Sequence, residues 1–408
     1  MNQPVTAATP GPSNPVRRYN RFLAGLPFGI AIVAVLVLKG STGSTDVGDS
    51  DLLTTWFCAG LGGLIGMQTL IAVQLLLGRL GGMAPTTVFV GAAGRRLGST
   101  RIGGVDVDFR AVPLLPVSGC MVVVDTPAAR VRLWLGQALG TGVTLALGLA
   151  LLLRDPGMGA VSWIGAGVTM IAAGVALTAP SVPGTRAWFL WRMPFDRKGG
   201  LADLSHDAAS LAASRRLLGG HLGDARAALA GAARPDSVPV VSLRASIALG
   251  LGEYRDAALL ARLALERSRS VAQRSMLAGI HSRAAAYELE AGTLPPEVAR
   301  PAMEYALTLI KAEFPQLLRI GDLPATVELL NGRAAQALPL ARRAVRRPTD
   351  VQTTAYGLCT LAAAEAVTGD RAAATTALAR ARRLMPELAR IAVVEQRLAE
   401  LGPAAPVG

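Results

Sequence analysis

The chain is poor in the side chains that most often carry enzyme chemistry. Histidine occurs three times and not before His206. The three cysteines, Cys58, Cys120 and Cys359, have no spacing that suits a metal site or a disulfide framework, and they fit a reducing cytoplasm and membrane interior. The only lysines are Lys39, Lys198 and Lys311, and none completes a phosphate-binding loop. Gly91, Gly94 and Gly98 do not match the dinucleotide fingerprint and have no parallel βαβ context. His206–Asp207, His221 and His281 are isolated and read as solvated or packed helix residues. The second half lacks any apolar run long enough to cross a bilayer. The apolar runs of the first half lack carboxylates, which argues against the ionisable lining of a transporter or channel. Their larger polar groups are Gln68, Gln74, Gln137, Thr69, Thr141, Thr144 and Thr169, expected to hydrogen-bond to one another across helices.

What is present are four long apolar runs, Phe22–Leu38, Trp56–Gly78, Leu133–Leu153 and Ala160–Ala179. A bilayer core of about 30 Å takes about 20 helical residues. The first run is short, and Tyr19 and Lys39 extend it at the two interfaces. A cleaved signal peptide is the other reading of that run. No small-x-small pattern follows Leu38 and three further runs come after it, so it is read as a span. The net charge of +13 is distributed by topology. Arginines flank the first run (Arg17, Arg18, Arg21), fill the segment between the second and third (Arg79, Arg95, Arg96, Arg101, Arg110, Arg130, Arg132) and follow the fourth (Arg186, Arg192, Arg197). The other two loops hold Asp46, Asp49 and Asp51, and then only Arg154 and Asp155. This positive-inside pattern predicts a multi-pass protein of the cell (inner) membrane, with the N-terminus, the 79–132 loop and the C-terminal half cytoplasmic. Its partners would include lipid but not nucleic acid.

The expected fold is mainly α. Residues 1–21 form a disordered cytoplasmic tail, and residues 22–180 a four-span transmembrane bundle. Within the latter, the 79–132 loop carries three β-rich runs: Thr87–Val90; Val105, Val107 and Phe109 alternating with Asp106, Asp108 and Arg110; and Met121–Val124. Gly91, Gly94, Gly98, Gly103 and Gly104 supply its turns. A sheet this small is expected to pack on the bundle or on the soluble half. Gly62 with Gly66, and Gly136 with Gly140, are GxxxG pairs that let helices approach closely. Residues 181–200 interleave Trp188, Phe189, Trp191 and Phe195 with Arg186, Arg192, Arg197 and Lys198. They predict a membrane-surface anchor, with Arg186, Trp188, Trp191 and Arg192 at the interface.

Residues 201–400 repeat a local pattern, and 401–408 are a tail. A glycine is followed by alanines five and twelve positions later: Gly220, Ala225, Ala232; Gly252, Ala257, Ala264; Gly332, Ala337, Ala344; Gly369, Ala374, Ala381. Pro386 closes the last unit. Glycine permits a tight turn between antiparallel helices, the alanines let the second helix lie close to the first, and proline stops it. The pattern resembles the tetratricopeptide repeat, although the spacings are 32, 80 and 37 residues where that repeat takes about 34. One or two degenerate hairpins fill the gap, around Ala284–Gly292 and Glu297–Ala312. The resemblance implies a cytoplasmic α-solenoid that binds a protein or peptide in a concave groove.

The membrane half carries a second resemblance. Gly66-Met-Gln-Thr-Leu-Ile-Ala-Val-Gln-Leu-Leu-Leu-Gly78 is followed by a glycine-rich β-like loop. Then come Val112-Pro-Leu-Leu-Pro-Val-Ser-Gly119 and another glycine-rich run. Over roughly residues 56–155 this order is similar to the core of the site-2 protease-type intramembrane zinc metalloproteases. There a zinc-binding HExxH runs into an LLG-type ending ahead of a cytoplasmic β-containing loop. Counted back from Gly78, the HExxH positions fall on Gly66, Met67 and Leu70, none of which can ligate zinc as that family requires or act as general base. The aspartate ligand has no counterpart in the third and fourth runs, and Asp196 in Met-Pro-Phe-Asp-Arg-Lys-Gly-Gly lies beyond them. The resemblance implies a relative without catalysis, metal or cofactor. The sequence therefore reads as a membrane-anchored scaffold or regulator that presents a protein-binding repeat module, while the bundle either holds it at the membrane or recognises a client membrane segment. An intramembrane zinc protease with unrecognised ligands and a small transporter component are the alternatives.

Overall fold

Runs of Leu, Ile, Val and Ala punctuated by glycine form helices that bury little of themselves and leave apolar sides exposed. The computed structural model describes residues 49–400 apart from 79, 92–95, 103–104, 111–116, 126–127, 155–158, 179, 181–182, 197–199, 316 and 347–349. The predicted run Phe22–Leu38 and both tails lie outside the described residues. The described chain is mainly helical. It contains three helices long and apolar enough to cross a membrane: α1 (Asp49–Leu77), α2 (Ala129–Leu153) and α3 (Ala160–Leu177). Helix α3 packs between the other two. Gly165 and Gly167 are two positions apart, which on a helix places them on opposite sides. A Cβ on Gly165 would overlap the α2 backbone at Leu152, and one on Gly167 the carbonyl oxygen of Ala59 in α1.

The loop between α1 and α2 folds into four strands, β1 (Met83–Val90), β2 (Arg96–Ile102), β3 (Val105–Arg110) and β4 (Val117–Val124). A fifth, β5 (Ser205–His206), comes from beyond α3, and the order is β2-β3-β1-β4-β5. Strand β1 runs parallel to β3 and antiparallel to β4, and β5 pairs parallel with β4 through Val123↔Ser205 and Val124↔His206. The alternation in β3 holds in part: Val105 and Val107 are buried, but Phe109, expected on the same face, is exposed at the strand's end. Strands β2 and β5 carry no such alternation and are visible only through their pairing. Gly98, read as a turn residue, lies inside β2 at a register shift.

Beyond a short helix α4 (Arg186–Trp191) come five helical hairpins, α5–α6 (Ala208–Leu218, Leu222–Leu229), α7–α8 (Val238–Leu251, Tyr254–Arg267), α9–α10 (Val271–Glu290, Pro296–Glu313), α12–α13 (Leu323–Leu330, Ala334–Arg346) and α14–α15 (Val351–Val367, Arg371–Leu384). The one-turn α11 (Leu317–Ile320) precedes α12, and α16 (Arg390–Glu400) ends the array. Each hairpin turns on a glycine with positive φ: Gly220, Gly252, Gly292, Gly332 and Gly369. The residue after each donates its N–H five positions back: His221 to Arg216, Glu253 to Ala248, Thr293 to Glu288, Arg333 to Glu328 and Asp370 to Glu365, all 2.9–3.0 Å. This is one helix stop used five times. The first helices α5, α7, α9, α12 and α14 contact one another in order, and α14 touches α5. The Gly223 N–H donates to Glu387 at 2.5 Å, and the Ala389 N–H to the Gly250 carbonyl at 2.9 Å. The inner helices thus close a ring, with α6, α8, α10, α13 and α15 outside it.

Candidate functional site

In the membrane bundle the glycine stripe makes contacts of two kinds. Gly62 and Gly66 bring α1 onto α3, where a Cβ would overlap the Ile164 carbonyl or stand 3.0 Å from Val168 Cα. Gly136 and Gly140 serve other neighbours. A Cβ on Gly136 would lie 2.9 Å from Gly81 Cα in the turn after α1, and one on Gly140 3.4 Å from Arg186 Nη1. Of the positions aligned with a zinc motif, Gly66 is packed, Met67 faces outward and Leu70 is buried. Among the described residues no group of three potential metal-binding side chains converges. Asp196 instead accepts the Gly200 N–H at 2.8 Å.

Polar side chains meet at the sheet end of the bundle. Arg186 donates to Gln74 Oε1 at 2.8 Å and Thr141 Oγ1 at 3.4 Å. The amides of Gln74 and Gln137 both donate to Met83 Sδ at 3.2 Å. A cavity of about 10 Å³ among Gln74, Gly78, Gly81, Gly136 and Gln137 has room for one water at most. Gln74, Gln137 and Thr141 thus do not bond one another as expected but meet through Arg186 and Met83, which lie outside the apolar runs. Thr69 and Thr144 differ, each bonding the carbonyl four residues back in its own helix at 2.9 Å, because a hydroxyl on so short a stem reaches its own turn first.

The 181–200 segment departs from a simple surface anchor. Trp188 is only 4% exposed and packs with Phe189 and Met193 against Met83, Val123 and Leu133, whereas Trp191 is 56% exposed. The Thr185 hydroxyl caps α4 by accepting the Trp188 N–H at 3.1 Å. The turn so fixed points one tryptophan under the sheet and leaves Trp191, Arg192 and Phe195 on the outside. Trp191 Nε1 donates to the Ala176 carbonyl at 2.7 Å, and Trp134 Nε1 to that of Leu190 at 3.1 Å.

The densest polar site lies inside the helical ring. Arg390, at the start of α16, is 0% exposed. Its Nε donates to Glu290 at 2.7 Å, and its Nη1 to Thr360 Oγ1 at 2.7 Å, to Tyr287 Oη at 3.1 Å and to Asp322 at 3.4 Å. The guanidinium lies 4.1 Å from the centre of the Tyr287 ring. Arg283 donates from Nε and Nη2 to the other Asp322 oxygen at 3.0 and 2.9 Å. Burial alone would raise the Asp322 carboxyl, but Arg283 and Arg390 overcome it and hold the group below the usual range. Burial likewise opposes the charge on Arg390, and Glu290, Tyr287 and Asp322 more than offset it. Tyr254, Tyr287 and Tyr356 line the same interior, with successive ring centres 5.7 and 5.9 Å apart. The repeat alanines are buried as expected, apart from Ala232. Helix α6 stops at Leu229, ahead of Gly231 and Pro235, so Ala232 lies past its end.

No family model, curated protein or solved structure matches the chain.

The Arg390 cluster carries no local sequence signal. Glu290 and Arg390 are a hundred residues apart, and Asp322 sits before an ordinary Leu-Pro helix start. The third hairpin hides for a simpler reason. Its loop is two residues longer, so the buried alanines Ala299 and Ala306 follow Gly292 by seven and fourteen positions.

Proposed function

We propose that the chain is a non-catalytic, membrane-held binding protein. Four spans, counting Phe22–Leu38, hold a cytoplasmic tetratricopeptide-like array at the bilayer, where the array engages a protein partner. One observation carries the reading: the strand that opens the helical half, β5, hydrogen-bonds to β4 of the membrane half. Arg215 of α5 adds two bonds to the Pro85 carbonyl, at 3.0 and 3.3 Å. A binding module on a loose linker needs no such clamp, whereas one that must meet a partner in a fixed orientation to the membrane does. The five repeated helix stops favour a repeat array. With Gly66 packed against α3, Leu70 buried and Met67 facing outward, the aligned positions offer no zinc ligand, which fits a protease-like ancestry without its chemistry.

Mass measurement of intact complexes purified with the full chain from membranes tests the reading. A discrete complex with a second protein and no bound metal is expected. A bare chain carrying stoichiometric zinc would overturn it.

A further inference from the structure

The inner face on which a helical array would receive a partner is already covered by the chain's own end. Helix α16 packs on α14 and α15. Arg382 of α15 pairs with Glu395 at 2.7 Å and Arg371 donates to the Leu398 carbonyl at 3.1 Å, while the other face of α16 is apolar and turned inward. Arg390, Ile391 and Val394 are buried, while Ala392, Gln396 and Ala399 are exposed. Val394 lies four positions after Arg390 and three after Ile391, spacings that put the buried side chains on one stripe, as in an amphipathic helix bound in a groove. Helices α7, α9 and α14 are buried on nearly every side, in contrast to the half-exposed outer helices, so the inner face is in use.

The polar contacts define what this face selects. The fork of Arg390 is read from two directions, by Glu290 at Nε and by Thr360, Tyr287 and Asp322 at Nη1. A lysine ammonium is a single point on a flexible stem and cannot reproduce that fork. Asp322 keeps Arg283 as a partner whether or not α16 is in place. Glu290 has no such reserve, since its side-chain partners, Arg390 and the more distant Arg397 at 3.8 Å, both belong to α16. An empty site would leave a buried carboxylate unpaired, which is strongly unfavourable. A site without α16 would therefore favour another cation-bearing helix over standing open.

Resting on the reading of the helical half as a binding module, we propose that its inner face is an arginine-specific helix-binding site. Helix α16 fills it as an intramolecular ligand. The partner is a protein segment that offers an amphipathic helix of the same chemistry, an arginine with apolar side chains at the first and fourth positions after it.

The test uses the purified full chain and a fluorescent peptide of residues 385–400, followed by anisotropy. Weak binding to the wild-type chain is expected, because the tethered helix competes. Binding to the Arg390→Gln chain should be at least tenfold tighter. A peptide with lysine at the arginine position should bind that chain at least tenfold more weakly. No binding to either chain, or binding indifferent to the arginine, would overturn the proposal. Hydrogen exchange on the unmodified chain gives a readout that does not depend on a variant folding. Amides of α16 should exchange faster than those of α14, and faster still with excess peptide; protection equal to that of α14 and unmoved by peptide would sink the idea. Peptide exchange without a co-purifying partner would leave this site standing and remove the scaffold reading. A captured partner with no peptide exchange would do the reverse.

Discussion

Gly62 and Gly167 stand where α1 and α3 touch, and a methyl group on either would overlap a backbone carbonyl oxygen, that of Ile164 or of Ala59. Backbone cannot rotate out of the way as a side chain can. Gly167→Ala is therefore expected to cost about 1–3 kcal/mol and to lower the unfolding midpoint in detergent. Gly60→Ala, with open space around it, should leave the midpoint unchanged. His206 belongs to the same scale. Burial holds its imidazole down to about 4, against the opposing pull of Asp207. The unfolded chain then binds a proton below pH 6.5 that the folded chain refuses until about pH 4. Stability should fall by up to about 3 kcal/mol over that window as acid is added. Denaturant titrations across pH 4–7 measure the slope, and His206→Gln should flatten it. Burial likewise pushes the Cys359 thiol up to about 12. Iodoacetamide at neutral pH should leave it unmodified until the helical half unfolds.

At the scale of elements, the glycine stops separate two costs. Nothing lies within 4 Å of the position a Cβ would take on Gly332, so Gly332→Ala bears only the strain of a left-handed alanine, about 1–2 kcal/mol. At Gly252 the same methyl would also press on Ala389 Cβ at 2.7 Å. Gly252→Ala should therefore destabilise more in thermal unfolding and loosen α16 in hydrogen exchange. These turns show why parts of the fold could be read from sequence. A left-handed stop requires glycine, and close helix contact requires alanine, so Gly252, Ala257 and Ala264 leave a local trace. The ends of α1 and α2 and the start of α3 follow the apolar runs to within a residue. Helices α1 and α2 start at Asp49 and Ala129, ahead of the predicted Trp56 and Leu133, because a helix runs on through polar residues that an apolar run does not count. Strand β5 leaves no trace because two residues have no period. Trp188 misleads because its chemistry suits an interface, while a threonine cap three residues earlier turns it inward. The inner site was out of reach because Glu290, Asp322 and Arg390 come together only when the ring closes. Each alone looks like one more surface charge.

For the whole molecule, the five-stranded sheet makes the two halves one body. The ion pair between Asp125 and Arg234, 2.7 Å apart and partly exposed, adds little to that join. The buried donation from Arg215 to the Pro85 carbonyl adds more. Arg215→Ala should speed hydrogen exchange in β1 and β5 while α9 and α14 keep their protection. The arginine pattern fixes a further expectation. A single cysteine placed at Thr375 on the exposed face of α15 should resist a membrane-impermeant thiol reagent in intact cells and react after lysis. The parallel pairing of β4 with β5 also orders the protein's birth. Everything between those strands, α2 and α3 included, must leave the ribosome before Ser205 emerges and can reach Val123. Until then the edge of β4 at Val123 and Val124 is unpaired. Docking of β5 is thus among the last steps of assembly, and a chain in which α2 and α3 have not packed would leave the edge at Val123 and Val124 unpaired.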